Sequence, residues 1–575
     1  MGRRDIRENS NSKGKKLNIG KVFIVLVLIL IIVFATKQLL LERGTNKAEK
    51  KSSKKSSTTE VVEEEQEVVK TVEEVAEEFG AEITEKIKDD TCYATKEGKE
   101  YTIYADGEVT EGKITIWQGD STEPKTNEDG SIDITTASEL KWISDQVSSG
   151  QKTFAGLTIN LKANIDLGAR VDANGKWEGT KWTPIIGFLE SKTEESENTN
   201  TVENAQEAVQ DTENVNVTTE NLKRFAGTFN GNGFSIRGML VESDSKYQGL
   251  FGYSSGTIEN LTIKHSKVKG STAVGAFAGL NEGNINTCYA QDVHVEGEEK
   301  IGIFAGISMT SSNINYCSVV DTKSTVSGNR YVGGLIGYMN NNVMLVNSQN
   351  KASVTGKDFT GGLVGIAFYG ATISNSNNYA LNVKGEKYVG GIVGYSQAFI
   401  EKVNNHDVYE HRGIISGTKY VGGLVGLNYE MGNITQSYNY CDVTASEDNL
   451  GGVVGLNNGS VMQVYNMGKV DATNIQGQKA GGIAGQNVSN SSIASSYNAG
   501  TVEYKDIAQG AVGANFGELE NVYYLGTSIN YKDSINLEGK KTLDELKNTM
   551  VTEFPEEFKE DSENKNNGFP ILYWQ

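Results

Sequence analysis

The chain has 575 residues, 65 of them Gly and only 4 Pro, and a net charge of −20. Its length exceeds one ordinary globular domain, and its glycine lacks the strict three-residue period of a triple helix, so repeated turns are expected. The acidic balance excludes nucleic acid as a partner, since phosphates need a basic footprint, and four Cys are too few for a disulfide framework.

Residues 1–21 are a basic tail, with Arg3, Arg4, Arg7, Lys13, Lys15, Lys16 and Lys21 against Asp5 and Glu8. The apolar run Val22 to Ala35 follows and continues through Lys37 into Leu39-Leu40-Leu41. If Lys37 snorkels, residues 22–41 reach the roughly 20 residues of a transmembrane signal-anchor, with everything beyond on the extracellular side of a cell membrane. The alternative is a signal peptide cleaved near Val33-Phe34-Ala35, giving a secreted protein.

The next stretch, 42–90, opens on a Lys/Ser-rich linker and turns acidic from Glu60. Val68, Val72, Val75, Phe79, Ile83 and Ile87 then fall on one face of a stalk helix of about eight turns. Residues 91–130 hold a small β element, Tyr101–Ala105 and Lys113–Trp117 about Asp106-Gly107, and a loop with Pro124 and Asp129-Gly130. An N-terminal cap occupies 131–187. The segment 188–222, with nine Asp/Glu and one Lys, has the composition of a disordered acidic insertion.

Repeats fill 223–525. Gly-Gly-aliphatic-aliphatic-Gly appears at Gly333–Gly337 and Gly361–Gly365, and returns at Gly390, Gly422, Gly451 and Gly481. Degenerate copies end at Gly252, Gly279, Gly306 and Gly513, and closing glycines are spaced by 27 to 32 residues. Downstream in each unit comes a thin side chain such as Cys288, Cys317, Ser376 or Ser437. Two positions later stand Asn378, Asn405, Asn439, Asn466 and Asn498. One such unit cannot bury its apolar face alone, so copies must stack. In-register parallel strands roughly 4.8 Å apart would build Asn ladders and a dry aliphatic column, with glycines at corners that need both positive φ and close backbone approach. The expected fold is all-β, a right-handed parallel β-helix, closed by a C-terminal cap at 526–575.

The Gly-Leu-Val-Gly core resembles the GLUG-motif repeats of bacterial surface proteins, including the non-catalytic region of some IgA-cleaving metalloproteases. Asn164-Ile165-Asp166-Leu167, Trp182-Thr183-Pro184-Ile185-Ile186-Gly187, Phe225-Ala226-Gly227-Thr228-Phe229-Asn230-Gly231 and the ending Gly568-Phe569-Pro570-Ile571-Leu572-Tyr573-Trp574-Gln575 share that resemblance, over about 131–575. It implies a β-helical scaffold without the peptidase. None of His265, His294, His406 and His411 begins the His-Glu-x-x-His pattern that holds zinc.

Other chemistry is sparse, and no catalytic residue, metal ligand set or cofactor site is expected. His406-Asp407 with Glu410-His411 reads as loop variation before it reads as a metal cluster. Gly252-Tyr253-Ser254-Ser255-Gly256 matches a hydrolase elbow but falls on a repeat turn. Cys288 and Cys317 occupy equivalent places in adjacent coils, compatible with a disulfide or with paired buried thiols. Tyr438, Tyr465 and Tyr497 form a column that either stacks on sugar rings or packs beneath a neighbouring turn. The expected role is non-enzymatic adhesion or binding of a glycan or protein ligand. The alternatives are a carbohydrate-active β-helix enzyme, lyase or hydrolase, and a structural spacer.

Overall fold

The computed structural model describes residues 70–575, apart from 173, 189–221, 310, 407–410, 476–478, 505–509 and 527–538. The basic tail, the 22–41 run, the Lys/Ser linker and nearly all of the acidic insertion lie outside the described residues. The expected transmembrane helix is corrected. Among the described residues no helix is long and apolar enough to cross a membrane, the longest having 12 residues against the roughly 20 that a span needs. The single-pass placement and the membrane as a partner are withdrawn with it.

The stalk is corrected too. Helix α1 (Val72–Phe79) has only 8 residues. Gly80 follows at φ +74°, the left-handed geometry that closes a helix C-terminus. Ile83 and Ile87, which extend the apolar stripe in sequence, lie in strand β1 (Glu82–Lys88). Strands β1, β2 (Thr91–Lys96), β3 (Lys99–Tyr104) and β4 (Val109–Glu111) form an antiparallel sheet. Val72, Val75 and Ala76 of α1 pack on its Cys92, Ala94 and Ile103. The hairpin about Asp106-Gly107 thus forms, but with Val109–Glu111 as its second arm. Lys113–Trp117 instead reaches the solenoid, where Trp117 N donates to Asp166 O at 3.0 Å.

From Ile132 onward the chain winds into a right-handed parallel β-solenoid, with 44 strands among the described residues in one continuous sheet. Its first coil is covered by helix α2 (Ala137–Ser148), fixed by a capping box between Thr136 and Glu139. Each later coil lays its strands on those of the coil before, in register and parallel. Alternation sends every second side chain inward. Phe229, Ile258, Ile285, Ile314, Leu345 and Ile373 consequently stack as one buried column.

The Asn ladder is present. Asn350, Asn378, Asn405, Asn439, Asn466 and Asn498 pass Nδ2-to-Oδ1 hydrogen bonds of 2.8–3.0 Å from coil to coil. A second ladder runs Asn428, Asn457, Asn487 and Asn515, each bond 2.8 Å. Cys288 and Cys317 are free, fully buried thiols.

The glycines serve the second of their two expected purposes. No glycine of the Gly-Gly-x-x-Gly units has positive φ. A Cβ on Gly334 would stand 2.2 Å from Gly362 O and 2.5 Å from Asn350 Nδ2, so backbone and ladder approach too closely for a side chain. One left-handed position that recurs from coil to coil carries Ala273, Lys300, Tyr331, Phe359, Tyr388, Tyr420 and Asn449 instead, at φ +56° to +61°. The four aromatic rings stack at 5.2, 4.7 and 4.9 Å between centroids. The coil path sets this backbone geometry, since Ala273 and Asn449 adopt it without a ring, and the stacked aromatics add packing at a position glycine would otherwise favour.

Candidate functional site

A charged seam joins the antiparallel sheet to the solenoid. The turn between β3 and β4 presents Asp106 and Glu108, and the first solenoid coils present Arg237, Lys264 and His265. Arg237 donates from Nη2 to Asp106 Oδ2 at 2.9 Å and from Nη1 to Glu108 Oε2 at 3.0 Å, while Lys264 Nζ reaches Glu108 Oε1 at 3.1 Å. The Arg237 guanidinium also lies 3.5 Å from the centroid of Tyr104. That Tyr104 hydroxyl donates to the buried Asp166, which Arg170 binds through both terminal nitrogens.

His265 links two coils and the sheet. Its Nε2 is 2.7 Å from Asp106 Oδ2 and its Nδ1 is 2.8 Å from Asp292 Oδ2, in the next coil. Asp292 in turn faces His294 Nε2 at 3.3 Å. Burial works against an imidazolium at His265, but hydrogen bonds to Asp106 and Asp292 outweigh it and raise its pKa. Burial likewise opposes the Asp106 carboxylate. The His265 hydrogen bond and the Arg237 charge prevail and hold Asp106 well below the usual carboxylate range. The same competition, with His265 and His294 as donors, lowers Asp292.

Asp106, Glu108 and His265 offer one ligand atom each within 4.8 Å of one another, the spacing of a metal triad. The chemistry of the donor set does not fit a cation. Arg237 and Lys264 already neutralise both carboxylates, and both His265 nitrogens face acceptors, so each carries a proton and neither has a free lone pair. The arrangement is an ion-paired clasp between two modules.

The tyrosine column points outward, and the chain covers it with its own C-terminal segment. Tyr438, Tyr465 and Tyr497 stack at 4.9 and 5.1 Å with planes within 6°. All three are buried in a cluster with Leu546 and Met550 of helix α3 (Leu543–Glu553), Phe558, Phe569 and Leu572. Trp574 stacks on Tyr438 at 5.8 Å, and the Tyr465 hydroxyl donates to Gln575 Oε1 at 2.9 Å. Packing within the chain is therefore the arrangement adopted, and no sugar reaches these rings while the segment is docked. His406 lies 4.6 Å from Tyr440, ring to ring, whereas Asp407 and Glu410 are outside the described residues. Ser254 ends strand Phe251–Ser254, and Thr257–Glu259 follows as a strand. The strand-turn-helix of a hydrolase elbow is absent there.

The seam residues escape a motif search because Asp106 and His265 are far apart in sequence. A periodic signal for part of it exists. Shifting His265 by one 27-residue coil lands on Asp292, the neighbour it meets.

Fold and seam together define a parallel β-solenoid carrying an N-terminal antiparallel module clasped to it by ion pairs. No protein-family model and no curated protein sequence matches the chain. Among solved structures it is similar to a provisionally assigned immunoglobulin A1 protease from Bacteroides ovatus. That match has 15% identity and a TM-score of 0.30, over 80% of this chain and 98% of the other. A likeness of that degree carries no functional argument, and the GLUG-type reading rests on the repeat motifs alone.

Proposed function

We propose that the protein is a non-catalytic β-solenoid scaffold that binds a glycan or protein ligand along its rod. The observation supporting this reading is the saturation of the His265 clasp. The His–carboxylate cluster of Asp106, Glu108 and His265 is consumed by Arg237, Lys264 and Asp292, so this cluster offers no free acid or base toward a substrate. The remaining polar order, the two Asn ladders, is interior and holds the coils together. What the rod offers a partner is its long, repetitive exterior.

The test is incubation of the purified protein with bacterial cell-wall glycans, host-cell glycans and host-cell surface proteins. Saturable binding with unchanged ligand is expected. New reducing or unsaturated sugar ends would overturn the proposal, as would an absence of binding to any ligand offered.

A further inference from the structure

One outer corner of the solenoid carries a strip with a chemistry of its own. Here the strand after each glycine pair turns into the next strand, and each coil places one side chain at an equivalent position. Backbone hydrogen bonds fix the register: Phe368 N donates to Met339 O, Gln397 N to Ala367 O and Phe516 N to Asn487 O, at 2.8–3.1 Å. Tyr429 pairs with Asn458 across coils. Read along the axis, the column runs Met309, Asn340, Phe368, Gln397, Tyr429, Asn458, Val488, Phe516, so that amides and rings alternate over the five coils from Asn340 to Asn458.

The rings are held from beneath. Tyr429, half-buried, stacks at 5.8 Å on the buried Tyr395, while Phe368, 4.9 Å from Tyr338, is itself buried and backs the strip from within. The same corner exposes Tyr369, Phe399, Met431 and Phe516, the last at 65% exposure. Isolated exposed apolar residues need no explanation, but this many on one corner mark an interaction surface. In the corner segments 338–344, 366–372, 396–400, 428–433, 456–460, 486–492 and 514–517, Glu430 alone is charged at neutral pH. A chain of net charge −20 keeps this strip almost neutral. Charge complementarity selects an uncharged ligand over an acidic or a basic one.

Alternation selects further. A protein partner calls for a continuous apolar centre with polar groups at the rim. Amides set between rings suit a polymer whose every unit has both an apolar C–H face and hydroxyl groups. We infer that this corner binds an uncharged linear oligosaccharide laid along the solenoid axis, its sugar faces on Tyr369, Phe399, Tyr429 and Phe516 and its hydroxyls on Asn340, Gln397 and Asn458. The inference rests on the ligand-binding reading above and gives it a surface and a ligand class.

The experiment is calorimetric titration of the full chain with cellohexaose, chitohexaose and, as an acidic control, polygalacturonate. A triple variant, Tyr369→Ala with Phe399→Ala and Phe516→Ala, is compared in parallel, as is Gln397→Ala. These side chains are exposed or half-buried, and an unchanged far-UV circular dichroism spectrum verifies the fold. Saturable binding of an uncharged hexaose, weakened about tenfold or more by the triple variant, is the expected result. Equal binding by the triple variant overturns the surface and leaves the scaffold reading intact. Binding of polygalacturonate alone overturns the ligand class and also leaves that reading intact. Binding of none of the three overturns the inference, while the wider glycan and host-cell screen still judges the scaffold reading.

Discussion

His265 Nε2 stands 2.7 Å from Asp106 Oδ2, so one imidazole ties the β3–β4 turn to the solenoid while its other nitrogen holds Asp292 in the next coil. The groups facing this ring are Asp106, Glu108, Arg237, Lys264, Asp292 and His294. A pKa raised above the ordinary 6.5 means that the histidine's contribution is complete below that value and fades as pH climbs through the raised one. The lowered Asp106 and Asp292 act at the other end, losing their contribution as pH falls through their depressed values. Amide hydrogen exchange in Lys99–Glu111 should therefore accelerate, beyond the intrinsic pH effect, as pH climbs above 6.5. A His265→Gln variant should lack that extra acceleration. An identical pH response in both proteins would refute the clasp.

Arg237 is the heavier element of the same seam. Its side chain is 5% exposed and bonds two carboxylates at once. Replacing it by Ala leaves Asp106 with His265 and Glu108 with Lys264 as their remaining partners, so the loss should fall below the about 3–5 kcal/mol of a buried charge left unpaired. Arg237→Ala should lower the thermal midpoint and open 100–119 to protease before the coils beyond residue 280. Loss confined to the distal coils would contradict the assignment.

What the sequence discloses divides along a physical line. Features that recur at a fixed period are legible, because stacking turns one residue's environment into that of its counterparts. Gly334 and Gly362 announce close backbone approach, and Asn378, Asn405 and Asn439 announce a ladder. Features that happen once are not. The apolar stripe through Ile83 and Ile87 imitates a helix, yet Gly80 ends it and cross-strand partners Ala94 and Cys92 claim the following residues. The clasp joins Asp106 to His265 with no local spacing to reveal it. The tyrosine column is legible as a column, whereas its cover of Phe558, Phe569 and Trp574 comes from a C-terminal segment without repeats.

Within the interior ladder, position should decide the effect of an amide. Asn439 is fully buried, accepts from Asn405 and donates to Asn466 and to Cys441 O. Asn439→Ala removes the ladder acceptor of Asn405 Nδ2, which keeps Gly423 O, and the ladder donor to Asn466 Oδ1, which keeps Gly468 N, and should cost about 1–3 kcal/mol. Asn515, at the end of the second ladder and only partly buried, passes its amide to Gly517 O. Asn515→Ala should cost under about 1 kcal/mol, since water replaces the lost partner. Urea unfolding of the two variants tests the ranking, and equal losses would refute it.

Phe359 separates backbone strain from stacking. It sits at φ +56° between Tyr331 and Tyr388, with ring centroids 5.2 and 4.7 Å away. Removing the ring forfeits burial and two stacking contacts, a loss of about 3–5 kcal/mol for a buried Phe replaced by Ala. Ala retains the Cβ that makes left-handed backbone unfavourable by roughly 1–2 kcal/mol, and Gly does not. Phe359→Gly should therefore unfold at higher urea than Phe359→Ala, although Ala is ordinarily the better residue in a strand or helix interior. The opposite order would mean that the backbone relaxes out of the left-handed region once the ring is gone. Phe359→Tyr restores a ring like those above and below it and should lie within about 1 kcal/mol of the native protein. That result would locate the stabilisation in the stack.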